Sequence, residues 1–164
     1  MAYASAEYTG DEFVFYESTI TEKHAERLYE ASYNLESRTP DIDLLSIAWI
    51  ESRFKKGIKR GDNKKACGLW QMHARFSYPM FVRKSWSGWS EKKFKLSIQK
   101  ECKRLEVVEY GAMQTKKYIS YLKSKGKHLC HYNSGIKGKC SKKYRKKFDA
   151  IKEALQSART ICRY

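Results

Sequence analysis

Residues 41–54 read DIDLLSIAWIESRF, and this stretch decides the fold. Leu44, Ile47, Ala48 and Glu51 fall at i, i+3, i+4 and i+7, so the spacing predicts a helix whose buried apolar stripe ends in an acid. Just upstream, Thr39 as a cap, Pro40 at the first helical position and Asp41 facing the helix dipole mark its start, and Gly57 its stop. Burial disfavours the ionised carboxylate, so a Glu51 held on that face has a raised pKa and keeps its proton toward neutral pH, as a general acid must. The alternative is that Glu51 turns to solvent beside Arg53, Lys55 and Lys56.

Upstream, Thr19 and Glu22 resemble a capping box, and Ala25, Leu28, Tyr29, Ser32 and Leu35 continue as a packing stripe to about Ser37. Residues 1–18 carry aromatics without a clear period and are expected to form an irregular arm. Downstream, residues 57–67 (GIKRGDNKKAC) predict a loop or small β-excursion that contains Asp62, and GLWQMHAR from Gly68 predicts another helix running to the Tyr78-Pro79 break. After a loop at Trp86, Gly88 and Trp89, Ser90 caps a helix with Phe94, Ile98, Cys102 and Leu105 on one side. Val108, Gly111, Ala112, Thr115, Tyr118, Ile119 and Leu122 form the clearest stripe, and Gly111 with Ala112 implies a close helix–helix approach. A terminal helix follows from Tyr144 through Phe148, Ile151, Leu155, Ala158 and Cys162. The expected fold is mainly α, six or so helices with at most a small β excursion.

A chain of 164 residues is long enough for one domain with a real core. Hydrophobic content of 41% and aromatic content of 14% argue against disorder. Lys and Arg number 34 against 18 Asp and Glu, and a net charge of +16 favours a polyanionic partner. No run has the apolar length of a membrane span, and MAYASAEYTGDEF lacks the basic start and apolar core of a signal peptide, so the chain is expected to be made in the cytoplasm. Reduced, buried thiols are then the default for the five cysteines, with one disulfide formed after export as the alternative; the pairing is not assignable. His128, Cys130, His131 and Cys140 cluster, but their spacing fits no common metal site.

Three segments in this order resemble motifs of the lytic transglycosylases of the soluble-transglycosylase type, which share the lysozyme-like fold with goose-type lysozyme. Glu51-Ser52-Arg53-Phe54 is similar to the family's Glu-Ser-x-aromatic, Ala66-Cys67-Gly68-Leu69-Trp70-Gln71-Met72 to its Gly-Leu-Met-Gln-Ile, and His131-Tyr132-Asn133-Ser134-Gly135 to its Ala-Tyr-Asn-Ala-Gly. VVEYGAMQTKKYISYL stands where the family has its Asn-Ile-x-x-Gly-x-x-Tyr-Leu helix. The resemblance covers roughly residues 40–160 and makes 19–164 a single lysozyme-like catalytic domain. Departures are a slightly longer loop between Glu51 and Gly68, Trp70 for the usual Met, His73 near the usual Pro, and no equivalent of a loop Ser.

The resemblance implies cleavage of the bond between N-acetylmuramic acid and N-acetylglucosamine in peptidoglycan, leaving a 1,6-anhydro end, with no cofactor or metal. Glu51 would act as acid and then base, Gln71 and Met72 would contact the sugar chain, Tyr132 would orient Glu51 or the acetyl group, and Asn133 would support the loop or saccharide. Trp70 and Met72 are expected to be part core and part cleft wall. A hydrolytic muramidase using Asp62 to activate water is the competing enzyme reading. A non-enzymatic basic virion or nucleic-acid-binding protein on the same fold is a third, although no aromatic-basic pattern of a known nucleic-acid module is present. A small basic catalytic domain without a signal peptide points to a bacteriophage product, released at lysis or carried in the virion.

Residues 123–147 hold ten Lys and Arg and no acid, and they flank the Tyr132 motif. Such a run is ordinarily a solvated face, but its density favours an anionic cell-wall or outer-membrane surface. If so, binding to purified peptidoglycan sacculi should weaken as salt rises, because exposed charges are screened over about 8 Å at physiological ionic strength. Salt-independent pelleting with sacculi would identify the run as a solvated face.

Overall fold

Asp41 caps the helix that carries Glu51, its side chain accepting from the Leu44 amide at 3.1 Å, and helix α1 spans Ile42–Ser52. The computed structural model describes residues 4–9, 12–17, 27–28, 30–55, 57–77 and 88–161. Leu44, Ile47 and Ala48 are fully buried, as the stripe requires. The helix stops before Gly57, because Arg53 (φ 50°) and Phe54 (φ 60°) adopt left-handed backbone angles and the Arg53 amide closes the last turn on the Trp49 carbonyl. Glu51 thus sits in the final turn of α1.

Thr39 and Pro40 do not open the helix. They form strand β4 (Thr39–Pro40), antiparallel to β3 (Tyr33–Asn34), with Pro40 opposite Tyr33. The Asn34 side chain accepts the amides of Glu36 and Ser37, and this local turn ends the preceding helical residues at 32 instead of about 37. Leu35 is left 84% exposed at the turn, outside the core stripe expected of it. Of the upstream stripe, Leu28 and Ser32 are buried, while the Thr19–Glu22 capping pair, Ala25 and Tyr29 lie outside the described residues. The arm is not irregular: β1 (Ala4–Thr9) and β2 (Glu12–Glu17) pair antiparallel, from Ala4 opposite Glu17 to Thr9 opposite Glu12. Its Val, Phe and Tyr residues, placed in two six-residue runs two residues apart, favour that pairing.

The rest of the fold is mainly α. Helix α2 (Glu91–Leu105) is capped by the Ser90 hydroxyl, which accepts from the Lys93 amide, and it buries Ile98, Cys102 and Leu105. Helix α3 (Val108–Ser124) buries its whole predicted stripe. A single turn, α4 (His131–Ser134), precedes the long α5 (Lys142–Ile161), which buries Tyr144, Phe148 and Ile151 against α1. GLWQMHAR is not a helix. Strands β5 (Ala66–Cys67) and β6 (Met72–His73) form a hairpin, followed by a 3₁₀ turn at Ala74–Phe76. Gly68 (φ 77°) and Gln71 (φ 41°) both have left-handed backbones, which an α-helix excludes. Among the described residues no helix is long and apolar enough to cross a membrane.

Three devices hold these pieces in register. Trp70 is core and not cleft wall: it is 1% exposed, and its indole N–H donates to the Leu44 carbonyl at 2.9 Å, tying the hairpin to α1. The Asp43 carboxylate receives Lys123 at 2.7 Å and Lys152 at 2.9 Å, joining α1 to α3 and α5. Burial pushes this carboxyl upward, but the two lysine contacts outweigh it and hold the group below its ordinary range. Finally, the cysteines are not all reduced. Cys67 is bonded to Cys102 and Cys130 to Cys140, with Cα atoms 5.3 and 5.5 Å apart. The first pair is 35 residues apart and meets only because β5 packs on α2, so no spacing rule could assign it.

Gly111 is the position where the absence of a side chain decides packing. A Cβ there would lie 2.6 Å from the Leu105 carbonyl oxygen and 3.3 Å from the Trp70 ring, the close approach that the sequence implied. Gly111→Ala should gain roughly 1 kcal/mol of helix propensity. Overpacking against a backbone carbonyl outweighs that gain, and the expected net result is a loss of about 1 to 2 kcal/mol in denaturant unfolding. A stabilised variant would mean that α2 and α3 can separate without strain.

Candidate active site

The last turn of α1 delivers Glu51 to a cleft of about 560 Å³. One wall is the loop before β5, with Gly61 and Asp62, and the β6 segment with Gln71, Met72 and His73. A second wall is α4 and the residue after it, with Tyr132, Asn133 and Gly135. Tyr118 of α3 and Phe76 of the 3₁₀ turn close one side, their rings stacked at 5.3 Å and 11°. The three sequence motifs therefore meet in one cavity, although they lie up to 84 residues apart.

Glu51 is only partly exposed. Burial raises its pKa from 4.5 to about 7, against the opposing pull of a Tyr144 hydrogen bond and the Lys147 cation. The Tyr144 hydroxyl donates to Glu51 Oε1 at 3.0 Å. Burial first and the nearby Glu51 second push Tyr144 well above the usual phenol range, so it remains a donor. Tyr144 and Lys147 lie one turn apart on α5, and both act on Glu51 because α5 packs on α1.

The expected site residues divide by what their polar atoms already do. Tyr132 is buried, and its hydroxyl donates to the Trp70 carbonyl at 2.7 Å, so the phenol that orients Glu51 is Tyr144 instead. Gln71 lines the cleft, but its side-chain amide braces the loop: Oε1 accepts the Gly61 amide at 2.9 Å, and Nε2 donates to the Gly68 carbonyl at 3.0 Å. Each of these atoms keeps one further hydrogen-bonding position for a ligand. Met72 is 2% exposed and forms floor more than wall, its sulfur 3.8 Å from the Thr115 hydroxyl. Asn133 is exposed on the cleft wall.

Tyr144 escaped the sequence reading because it occupies a core position of the α5 stripe. Its one distinguishing signal is a hydroxyl at an otherwise apolar position, which on burial must find a partner.

Asp62 does reach the cleft, and it is paired. Its carboxylate lies 3.0 Å from His73 Nε2, while His73 Nδ1 accepts the Arg75 amide at 3.2 Å. With Nδ1 accepting, the ring proton belongs on Nε2, facing Asp62. Burial lowers the His73 pKa, Asp62 opposes this, and the Arg75 and Lys65 cations lower it further, so the ring is neutral near pH 7. No family model, no curated protein and no solved structure matches this chain.

The Glu51 environment has a consequence for stability. The folded chain binds the Glu51 proton more tightly than the unfolded chain between pH 4.5 and about 7, so stability falls as pH rises through that window and levels off above it. Glu51→Gln keeps the shape and removes the titration. At about 1.4 kcal/mol per pH unit, the variant should be more stable than wild type by on the order of 2 to 3 kcal/mol at pH 8. Most of that difference should vanish at pH 4. Urea unfolding of both proteins at the two pH values checks this, and a pH-independent difference would contradict it.

Proposed function

We propose that this protein is a peptidoglycan lytic transglycosylase of lysozyme-like type, with Glu51 as its one catalytic carboxyl group. The observation that carries the reading is a cleft-lining glutamic acid whose pKa burial raises to about 7, hydrogen-bonded by the Tyr144 phenol. Such a group is protonated often enough near neutral pH to give its proton away, and ionised often enough to take one back.

In the proposed reaction Glu51 protonates the glycosidic oxygen while the N-acetyl carbonyl of the muramic sugar attacks C1 from the other face. Glu51, now a carboxylate, removes the proton from the O6 hydroxyl as that oxygen closes on C1. No water enters the products, so no second carboxylate is required. Tyr144 holds Oε1 of Glu51, which leaves the other oxygen to face the substrate. Tyr132, through Trp70, fixes the wall across which the sugar lies. The exposed Lys137, Lys139, Lys142, Lys143 and Arg145 beside the Asn133 wall support an anionic cell-wall or outer-membrane partner. A role at the host wall for a bacteriophage, at lysis or as part of the virion, accords with that surface.

One observation favours a second reading. Asp62 lines the same cleft and is oriented by His73, so a hydrolase could use it to activate water. Product masses separate the two, since an anhydro end is lighter by one water. Transglycosylation predicts anhydro ends from the wild type, near-complete loss of turnover in Glu51→Gln, and a loss under about tenfold in Asp62→Asn, roughly 1.4 kcal/mol of barrier. Reducing ends from the wild type, with a loss of about a hundredfold or more in Asp62→Asn, would make the enzyme a lysozyme.

A further inference from the structure

Each cleft wall is closed by a disulfide, and the two bonds differ in access. Cys67 and Cys102 are both buried, at 1% and 0% exposure. Cys130 is fully buried, but Cys140 is partly exposed. Cys140 also sits between Lys139 and the pair Lys142 and Lys143, all three exposed. A partly exposed sulfur among cations is the one that an anionic thiol reaches, and the same cations stabilise Cys140 as the leaving thiolate when its mixed disulfide is resolved.

The Cys130–Cys140 bond also spans the functional wall. It ties the residue before α4 to the residue two before α5, closing a loop that contains Tyr132, Asn133 and Gly135 and ends four residues short of Tyr144. Backbone hydrogen bonds in this loop run locally, from Asn133 to Cys130, Gly135 to His131 and Gly138 to Gly135. A covalent tie over so short a loop restricts its open states directly.

We propose that Cys130–Cys140 is a redox-responsive clasp on the cleft, opened by small thiols at the Cys140 sulfur while Cys67–Cys102 stays closed. A thiolate of the glutathione class attacks Cys140 Sγ, the S–S bond breaks, and Cys130 Sγ leaves as a thiolate and takes up a proton. The thiolate of a second glutathione attacks the first glutathione's sulfur in the mixed disulfide, so that Cys140 leaves, takes up a proton and oxidised glutathione departs. Two electrons and two protons have then passed to the protein, and oxidised glutathione reverses the sequence. Opening frees the Tyr132–Gly135 wall and the approach to Tyr144, so the clasp sets how long the cleft keeps its shape. Its effect on turnover rests on the function proposed above.

The same sulfurs lie within 4.8 Å of a His128 ring nitrogen, which in the reduced state forms a potential soft-metal cluster. Both ring nitrogens already have partners: Nδ1 accepts the Cys130 amide at 3.0 Å, and Nε2 lies 3.1 Å from Asp149 Oδ1. His128 is thereby committed to bracing the loop against α5, which favours the disulfide over the metal.

The test uses the full chain and glutathione buffers of graded reducing strength. After alkylation and peptide mass spectrometry, Cys130 and Cys140 should become labelled at milder reducing strength than Cys67 and Cys102. Over that same range, amide exchange across residues 131–139 should accelerate by about tenfold or more. Peptidoglycan turnover should fall in parallel and return with oxidised glutathione. The paired variant Cys130→Ser with Cys140→Ser should match the reduced wild type in exchange and no longer respond to glutathione. Reduction of Cys67–Cys102 first, unchanged exchange in the reduced wild type, or free Cys130 and Cys140 thiols isolated with one equivalent of zinc would each overturn the clasp. Absence of turnover in every redox state would instead remove the proposed function, while labelling and exchange still decide the clasp.

Discussion

The cleft depends on keeping one carboxyl group, Glu51, partly out of water while the Tyr144 hydroxyl donates to it. Glu51 ends a helix whose other stripe positions, Leu44, Ile47 and Ala48, are fully buried, so burying the helix draws the acid in with it. Desolvation raises its pKa, and the Tyr144 hydrogen bond and Lys147 only partly offset that effect. The resulting balance near 7 depends on α1 and α5 keeping their spacing, because the donor is 93 residues from the acceptor. Asp43, near the start of the same helix, sets that spacing by pairing with Lys152 of α5 and Lys123 of α3.

The cleft walls are built differently from the element that carries the acid. A long helix supplies the acid, whereas the walls are short segments: a loop, a two-residue strand and a single helical turn. Asp62, Asn63, Lys64 and Gln71 all have positive φ without being glycine. Such conformations persist when surrounding bonds over-determine them, as the Gln71 amide does by bridging Gly61 and Gly68. The disulfides serve the same end, one holding β5 to α2 and the other bracketing α4. A site made this way presents a fixed shape from segments that regular secondary structure does not hold.

What was legible in the sequence follows from the range of the interactions involved. Period and caps act over a few residues, so the stripe of α3, the Ser90 cap of α2 and the acid ending α1 could be read directly. The mainly α class followed from them. The breaks were harder to see: Asn34 competes with the helix by bonding the amides of Glu36 and Ser37, and Gly68 with Gln71 turns a helix-like pattern into a hairpin. The motif residues Glu51, Gln71, Met72, Tyr132 and Asn133 do share one cleft, but their polar contacts were not predictable from order alone. Tyr132 bonds Trp70 and Tyr144 bonds Glu51, a choice made by packing between elements far apart in the chain. The cysteine pairing was hidden for the same reason.

Burial holds the Glu51 proton on the side chain into the neutral range, and a site-resolved titration measures this. Carbon-13 NMR of glutamate carboxyl groups, with Glu51 assigned by its loss in Glu51→Gln, follows that group alone. Its midpoint should lie near 7. A midpoint near 4.5, the ordinary glutamate value, would mean that water reaches the carboxyl freely and that no general acid is poised in this cleft.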